Sequence, residues 1–584
     1  MFLKRVFSFV LGSYIALSPL AGEQLSQKNK MLMYVDTIHT IFDSKYAPTD
    51  WKKEYCNWDI GTRIKKLKEH INKNDSTTLK NFHILLTELF NSAKDYHTRI
   101  LFASSESAFL PFAVKGVNGK YFVVSRNKKA LPNTWNVGDE LVLFDGKPVS
   151  NTIDSLYQLN KVSCKELDYS KAETMLTLRL GALGNKIPKG PVVVGLIHKG
   201  SKEISYYQLV WEYTPELVIK DLASTWAMTS ENDPLLIRFA RGEILGGLHV
   251  GFGMDETVQL KNILKKTGFP NVEAAMSPFD DPKNPNVMGA QKSFLPPLGE
   301  KIWEKPGTYH AYLFKDAKGR KIGYIRIPHY MPQFNAEVEE FGKRLNEFQE
   351  QADALVIDQL NNYGGMAWNL NGICSMLTDK PMYSPQEHVK LNQEDVLFAI
   401  QLLSELSKIT DDKGAVDAIG ADHIFGLEVN LSLIQMIRHY CQFVIDQWAQ
   451  GKAFTDATFL IGNDQIMPHS KYRFTKPLLV LINGLDVSCG DFFPAIMQDN
   501  KRATLFGTTT SGAGGAVYVF STPNSLGIYR AAITQTIAER LDGRPIENLG
   551  VKPDIEYALT ENDILNNYVD YVNAVNEAID TIIK

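Results

Sequence analysis

Residues 476–500 read KPLLVLINGLDVSCGDFFPAIMQDN, an apolar run followed by a serine and a cysteine side by side where a helical segment begins. A run as short and uniformly apolar as PLLVLIN (477–483) predicts a strand buried on both faces, and the residues after Asp486 predict a helix that starts at Ser488-Cys489. In α/β folds, reactive groups gather at such joints, at the carboxyl ends of the strands. Three readings stand side by side: Ser488 as a nucleophile, Cys489 as the nucleophile, or Ser488 as no more than an N-cap residue.

The surrounding sequence repeats the pattern. After Gly307, the runs KIGYIRIP (321–328), ADALVIDQ (352–359), KPLLVLIN and ATLFG (503–507) are short apolar strands separated by helical segments. In NLSLIQMIRHYCQFVIDQW (430–448), Leu433, Ile437, Tyr440, Val444 and Trp448 fall on one helical face. This alternation predicts an α/β domain over 306–584 with a largely parallel sheet. Upstream, 23–106 has helical periodicity that ends at Asp95-Tyr96-His97-Thr98. Residues 107–215 turn to short strands such as KYFVVSR (120–126), with a tight turn at Asp145-Gly146. The segment from Gly138 to Gly146 resembles part of a PDZ domain, which holds extended peptide ends on a sheet edge. Residues 216–305, with RGEILGGLHVGFG and MSPFDDPKNPNVMGAQKSF, lack periodicity and are expected to form an exposed linker. The fold class expected is therefore α/β multidomain: a helical N-terminal region, a PDZ-like β-rich domain and a C-terminal α/β catalytic domain.

Composition narrows the function. The chain has 584 residues, 44% of them hydrophobic, and a formal net charge of −4, with no basic tract to track a phosphate backbone. Nucleic acid is thus not expected as a partner. Residues 1–22 carry Lys4 and Arg5, an apolar run from Val6 to about Ala16 and then small residues, the pattern of a secretory signal peptide. That run is shorter than the ~18–20 residues a spanning helix needs, so no stable membrane insertion is expected. The five cysteines are an odd number, widely spaced and without metal-ligand spacing, so neither a disulfide framework nor a metal is expected, and no cofactor.

The chemistry concentrates at two strand ends. In DQLNNYGGMAW (358–368), Gly364-Gly365 lets backbone N–H groups approach a ligand unobstructed. At the second, the Cys489 amide lies at the positive end of the helix that follows Ser488. Amides of Cys489, Gly364 and Gly365 would together make an oxyanion hole. A serine nucleophile needs a base, and sequence spacing cannot select one from twelve histidines. Asp491 and Asp499 read as helix-end and surface residues, Asp491 early enough to favour the helix dipole.

These motifs resemble the tail-specific, or C-terminal processing, serine protease superfamily. The matching elements are a D-x-x-N-x-x-G-G turn (Asp358 to Gly365), the strand-then-serine segment, a G-T-x-T-x-G turn (Gly507 to Gly512) and a G-V-x-P-D-I ending (Gly550 to Ile555). Most members place a lysine base in the turn where this chain has Ala513. A narrower branch of secreted proteases within the superfamily fits nearly the whole length. It matches through KYAPTDWKKEY (45–55), DYHTRILF (95–102), DELVLFDGKPV (139–149), SMLTDKP (375–381), SCGDFFP (488–494), SGAGG (511–515) and IENLGVKPDI (546–555).

In that branch the base is the histidine of the D-[FY]-H block and the orienting acid is the glutamate of I-E-N-[IL]-G-V. Carried over by motif, they are His97 and Glu547, joining Ser488, with Cys489 left as an amide donor. The resemblance implies a secreted serine endopeptidase acting on host or bacterial proteins as a virulence-type effector, in the periplasm, outside the cell or in a host cytosol. It also implies a precursor that cuts itself within the 216–305 segment and pairs as a homodimer. Two other functions fit the same residues: an inert peptide-binding protein on a protease scaffold, and a protease restricted to protein C-termini.

Overall fold

The computed structural model describes residues 25–216, 281–331, 335–424 and 426–583. The signal peptide expected at 1–22 and most of the expected self-cleaved segment lie outside the described residues.

The uniform apolarity of the quoted strand is explained by the sheet in which it sits. Seven strands run in the spatial order Glu300–Lys305, Ala311–Lys315, Lys321–Arg326, Ala354–Asp358, Leu478–Ile482, Thr504–Gly507 and Ile555–Glu556. The first three pair antiparallel and the rest parallel, as the alternation of strands and helices predicts. Successive side chains point to opposite faces, so Leu478, Val480 and Ile482 enter one core and Leu479 and Leu481 the other. The first core is closed by helices Asn335–Gln351, Gln393–Leu406, Leu431–Ala449 and Cys489–Asp499, and the second by Val569–Ile582. On Leu431–Ala449 the buried stripe is Ile434, Ile437, Tyr440, Cys441 and Val444. Leu433 is only half-buried and Trp448 is 41% exposed, because the stripe facing the neighbouring helices is rotated towards 434 and 441 from the expected face.

The PDZ-like unit is a separate antiparallel sheet of Phe112–Val117, Lys120–Arg126, Glu140–Phe144, Pro191–Ile197 and Ile204–Val210, with helices Val149–Asn160 and Lys165–Thr177. Asp145 and Gly146 both have positive φ, 51° and 73°, which is the backbone a two-residue hairpin turn requires.

Helices Gln27–Lys45, Thr49–Cys56, Ile60–Lys73 and Leu79–Asn91 make up the N-terminal region. It is not an independent unit. Ile38, Phe42 and Phe90 share a core with Ile528 and Ile533, and the strand Arg99–Phe102 pairs with Ile528–Thr534. Residues 281–305 also correct the expected linker: Glu300–Lys305 is the edge strand of the main sheet, and Pro285 to Ala290 is tied to Asn361 and Arg326. Proline and asparagine there mark tight turns against the catalytic sheet.

Candidate active site

Ser488 stands where the strand Leu478–Ile482 becomes the helix Cys489–Asp499, with φ 61° and ψ −119°. This is not the extended backbone of an ordinary N-cap and is strained for a residue with a side chain. The strain is held by Asp491, whose Oδ2 accepts the Ser488 N–H at 3.0 Å. The same carboxylate accepts from Gly512 N (2.8 Å), Ala513 N (3.0 Å), Thr510 Oγ1 (2.5 Å) and Ser511 Oγ (3.2 Å). Asp491 stands in the first turn of the helix as expected, but it is fully buried, so the surface role expected for it is wrong. It joins the serine turn to the 510–513 turn. Asp499 is likewise mostly buried, paired with Arg540.

A second network fixes the helix itself. Pro494 has no N–H to offer the Gly490 carbonyl one turn earlier, and Gln359 Nε2 supplies the missing donor at 2.8 Å. Gln359 also donates to Asp486 Oδ2 (3.1 Å), and Asp486 accepts from the backbone of Asn362 (2.8 Å) and Asn483 (3.0 Å). The D-x-x-N-x-x-G-G turn is locked in place by these bonds and by the buried Arg326–Asp358 pair at 2.9 Å.

Gly364, at φ 88°, lies directly against the nucleophile. A Cβ there would be 2.6 Å from Ser488 Cβ and Val487 O, and 3.1 Å from Cys489 N. Of the three expected oxyanion donors, the Gly364 N–H is already committed, to Asn362 Oδ1 at 2.8 Å. Its role is therefore close approach, leaving Cys489 and Gly365 as the amides of the pair of turns. The Cys489 thiol is buried against Gly365 O at 3.3 Å, and burial pushes it up to about 12. A thiol buried against a carbonyl and pushed up in this way is disfavoured as the nucleophile.

His97 is 2% exposed, on the loop that precedes the strand Arg99–Phe102. Its neighbour Tyr96 packs with Val487 and Ala513, so the loop reaches the serine turn at the place where the superfamily's lysine would project. Among the described residues neither ring nitrogen has a hydrogen-bond partner. Burial lowers its pKa to about 4, against the pull of Asp95, so at neutral pH the ring is neutral with a lone pair to offer. Asp95 organises the loop by accepting from His97 N (2.8 Å), Tyr46, Thr98 and Thr534.

Glu547 is fully buried, with Oε2 accepting from Gly514 N at 3.0 Å and Oε1 accepting from Lys52 Nζ. Burial and then Asp95 push its pKa up to about 8, even though Lys52 and the Gly514 N–H pull it down. The expected residues thus converge on one region, but the structure makes no His97–Glu547 or Ser488–His97 hydrogen bond. Sequence reasoning missed Lys52, Asp95 and the role of Asp491. Their signal was present inside the blocks KYAPTDWKKEY, DYHTRILF and SCGDFFP, without spacing to mark it.

A cleft of about 180 Å³ is lined by His97, Arg99, Val487 and Met288, and by Ser170 and Thr174 of the PDZ-like helix. That helix touches the serine turn as well: Glu166 Oε2 accepts from Gly484 N (3.2 Å) and Thr508 Oγ1 (2.6 Å).

A strained serine at a helix start, a glycine pressed against it, and a PDZ-like helix tied to the same turn are the arrangement of a serine protease. Residues 321–557 match the model of peptidase family S41 and residues 106–220 that of a PDZ domain. The chain belongs to peptidase family S41 and is a protease of the C-terminal processing type. It is 33% identical to a protein of Chlamydia muridarum (strain MoPn / Nigg) over 97% of this chain and 95% of that one. Its fold is similar to the crystal structure of mature CPAF, the chlamydial protease-like activity factor, with a TM-score of 0.79 and 28% identity over 95% of this chain and 98% of that one. A serine-to-alanine mutant of CPAF matches at a TM-score of 0.81, with 28% identity over the same shares of the two chains. No helix among the described residues is long and apolar enough to cross a membrane.

Proposed function

We propose that this protein is an exported endopeptidase that cleaves protein substrates through an acyl-enzyme on Ser488. His97 takes the serine proton as general base and later returns it to the leaving amine. Glu547 orients the imidazole and stabilises imidazolium, and the amides of Cys489 and Gly365 receive the charge of the tetrahedral intermediate. The observation that carries the reading is the serine turn itself. Asp491 caps the helix start through the Ser488 N–H, but the positive φ of Ser488 and the close approach of Gly364 are not what a capped helix requires. The separation of His97 from its partners suits a resting precursor that becomes active by cutting itself within 216–305 and then pairs as a homodimer. Effector action on host or bacterial proteins belongs to the same reading.

The test is time-resolved mass spectrometry of purified protein, wild type beside Ser488→Ala, with fluorophosphonate labelling. Self-digestion and labelling of the wild type alone are expected. The same intact band in both, with no label and no hydrolysis of unfolded protein, overturns the reading.

A further inference from the structure

The lysine that the superfamily carries in the 510–515 turn is absent here, where Ala513 is fully buried against Tyr96 and Val487. A buried lysine nevertheless reaches this turn from the far end of the chain. Lys52, on the helix Thr49–Cys56, has no exposed surface. Its Nζ donates to Lys94 O at 2.8 Å, to Asn548 Oδ1 at 2.6 Å and to Glu547 Oε1. Three acceptors match the three N–H bonds of an ammonium. Asn548 reinforces the arrangement: its Nδ2 donates to the same Lys94 carbonyl at 2.6 Å, and its Oδ1 also accepts from Trp51 Nε1 at 3.1 Å.

We propose that Lys52 is a positioning residue of the reaction, the buried cation that favours the ionised form of Glu547 and aims it so that it can orient His97. This rests on the triad reading above. Both groups hydrogen-bonded to Glu547, the Lys52 ammonium and the Gly514 N–H, are donors, and they favour the carboxylate against burial and Asp95, which push the carboxyl up to about 8. A buried carboxylate without a paired cation takes up a proton instead of remaining charged. Among the described residues, Asp95, from the loop carrying His97, and Tyr46, from the first helix, also act electrostatically on Glu547, and neither supplies positive charge. Two oxygens offer about four acceptor sites, so the two donors already in place leave room for an imidazole N–H.

The test compares processed wild type, Lys52→Gln, Lys52→Arg and Glu547→Gln, measuring kcat and KM on an unfolded protein substrate from pH 5 to pH 10 and checking the fold by circular dichroism. Lys52→Gln is expected to lower kcat at pH 7 by about tenfold with KM little changed, and to recover as pH rises, its acid limb displaced upward by about one unit. Lys52→Arg, which keeps the charge, is expected to leave the limb in place. A merely structural lysine would lower the folded fraction without moving the limb.

A folded Lys52→Gln with wild-type kcat and limb overturns the proposal. If that variant does not fold, a folded Lys52→Arg with a displaced limb overturns it, and an unmoved limb supports it. Full activity of Glu547→Gln sinks the triad reading itself; an inactive Glu547→Gln beside a normal Lys52→Gln sinks only the role of the lysine.

Discussion

Replacing Asp491 by asparagine removes one charge and one acceptor while conserving shape, and the hydrogen-bond map sets what this costs. If the amide NH₂ takes the place of Oδ1, it faces Thr510 Oγ1, which can turn to accept, and Gly512 N–H, which cannot. If it takes the place of Oδ2, it faces two backbone donors, Ser488 N–H and Ala513 N–H. The better choice therefore still orphans one buried N–H, costing about 1–3 kcal/mol, and the remaining bonds lose their charge assistance at about 0.5–1 kcal/mol each. Relief from burying a carboxylate, which burial pushes up to about 6, offsets part of this. A loss of about 3 kcal/mol is the expected balance. Urea unfolding of Asp491→Asn against its parent, both in a Ser488→Ala background so that self-digestion does not intervene, measures it. In the active background kcat should fall about tenfold or more as the serine relaxes from its positive φ. Stability within about 0.5 kcal/mol of the parent would refute the reasoning, since a carboxylate whose five donors matter cannot be replaced without cost.

Two further outcomes follow from the same geometry. Gly364→Ala places a methyl group 2.6 Å from Ser488 Cβ at a backbone φ of 88°. It should reduce the rate of fluorophosphonate labelling by about 100-fold or more, and wild-type labelling would show that the glycine does not shape the site. For pH, burial depresses His97 to about 4, so on acidification the unfolded chain takes up its proton first. Stability from this group is present above about pH 6.5 and is lost as pH falls towards 4, by about 3 kcal/mol in all. The difference in unfolding free energy between parent and His97→Gln, both in the Ser488→Ala background, should follow that slope; a flat difference rules out burial of a neutral ring.

The parts of the fold that were legible in the sequence are those whose causes are local. PLLVLIN declares a doubly buried strand because every second residue enters a different core. Asp145-Gly146 declares a turn because both residues tolerate positive φ. The contribution of Trp448 was misjudged because helical period fixes a stripe but not which neighbour it faces. Asp491 was misread because an acidic residue in a first helical turn has an ordinary explanation, and its five donors include four from a turn some twenty residues on. The loose composition of 281–305 concealed an edge strand for a similar reason: the partner strand supplies the order. Lys52 was out of reach for the same cause at larger scale, since its carboxylate partner lies 495 residues away.

That span has a consequence for biosynthesis. A chain made from its N-terminus presents Lys52, Asp95 and His97 early, yet their partners at Ser488, Thr534 and Glu547 emerge only near the end of synthesis. Contacts this distant in sequence form late, after the intervening units have folded. On the mechanism proposed above, a ribosome-bound or prematurely terminated product ending before residue 547 would contain a histidine with no acid to orient it, so completion of the polypeptide would itself be a safeguard for the cell that makes it.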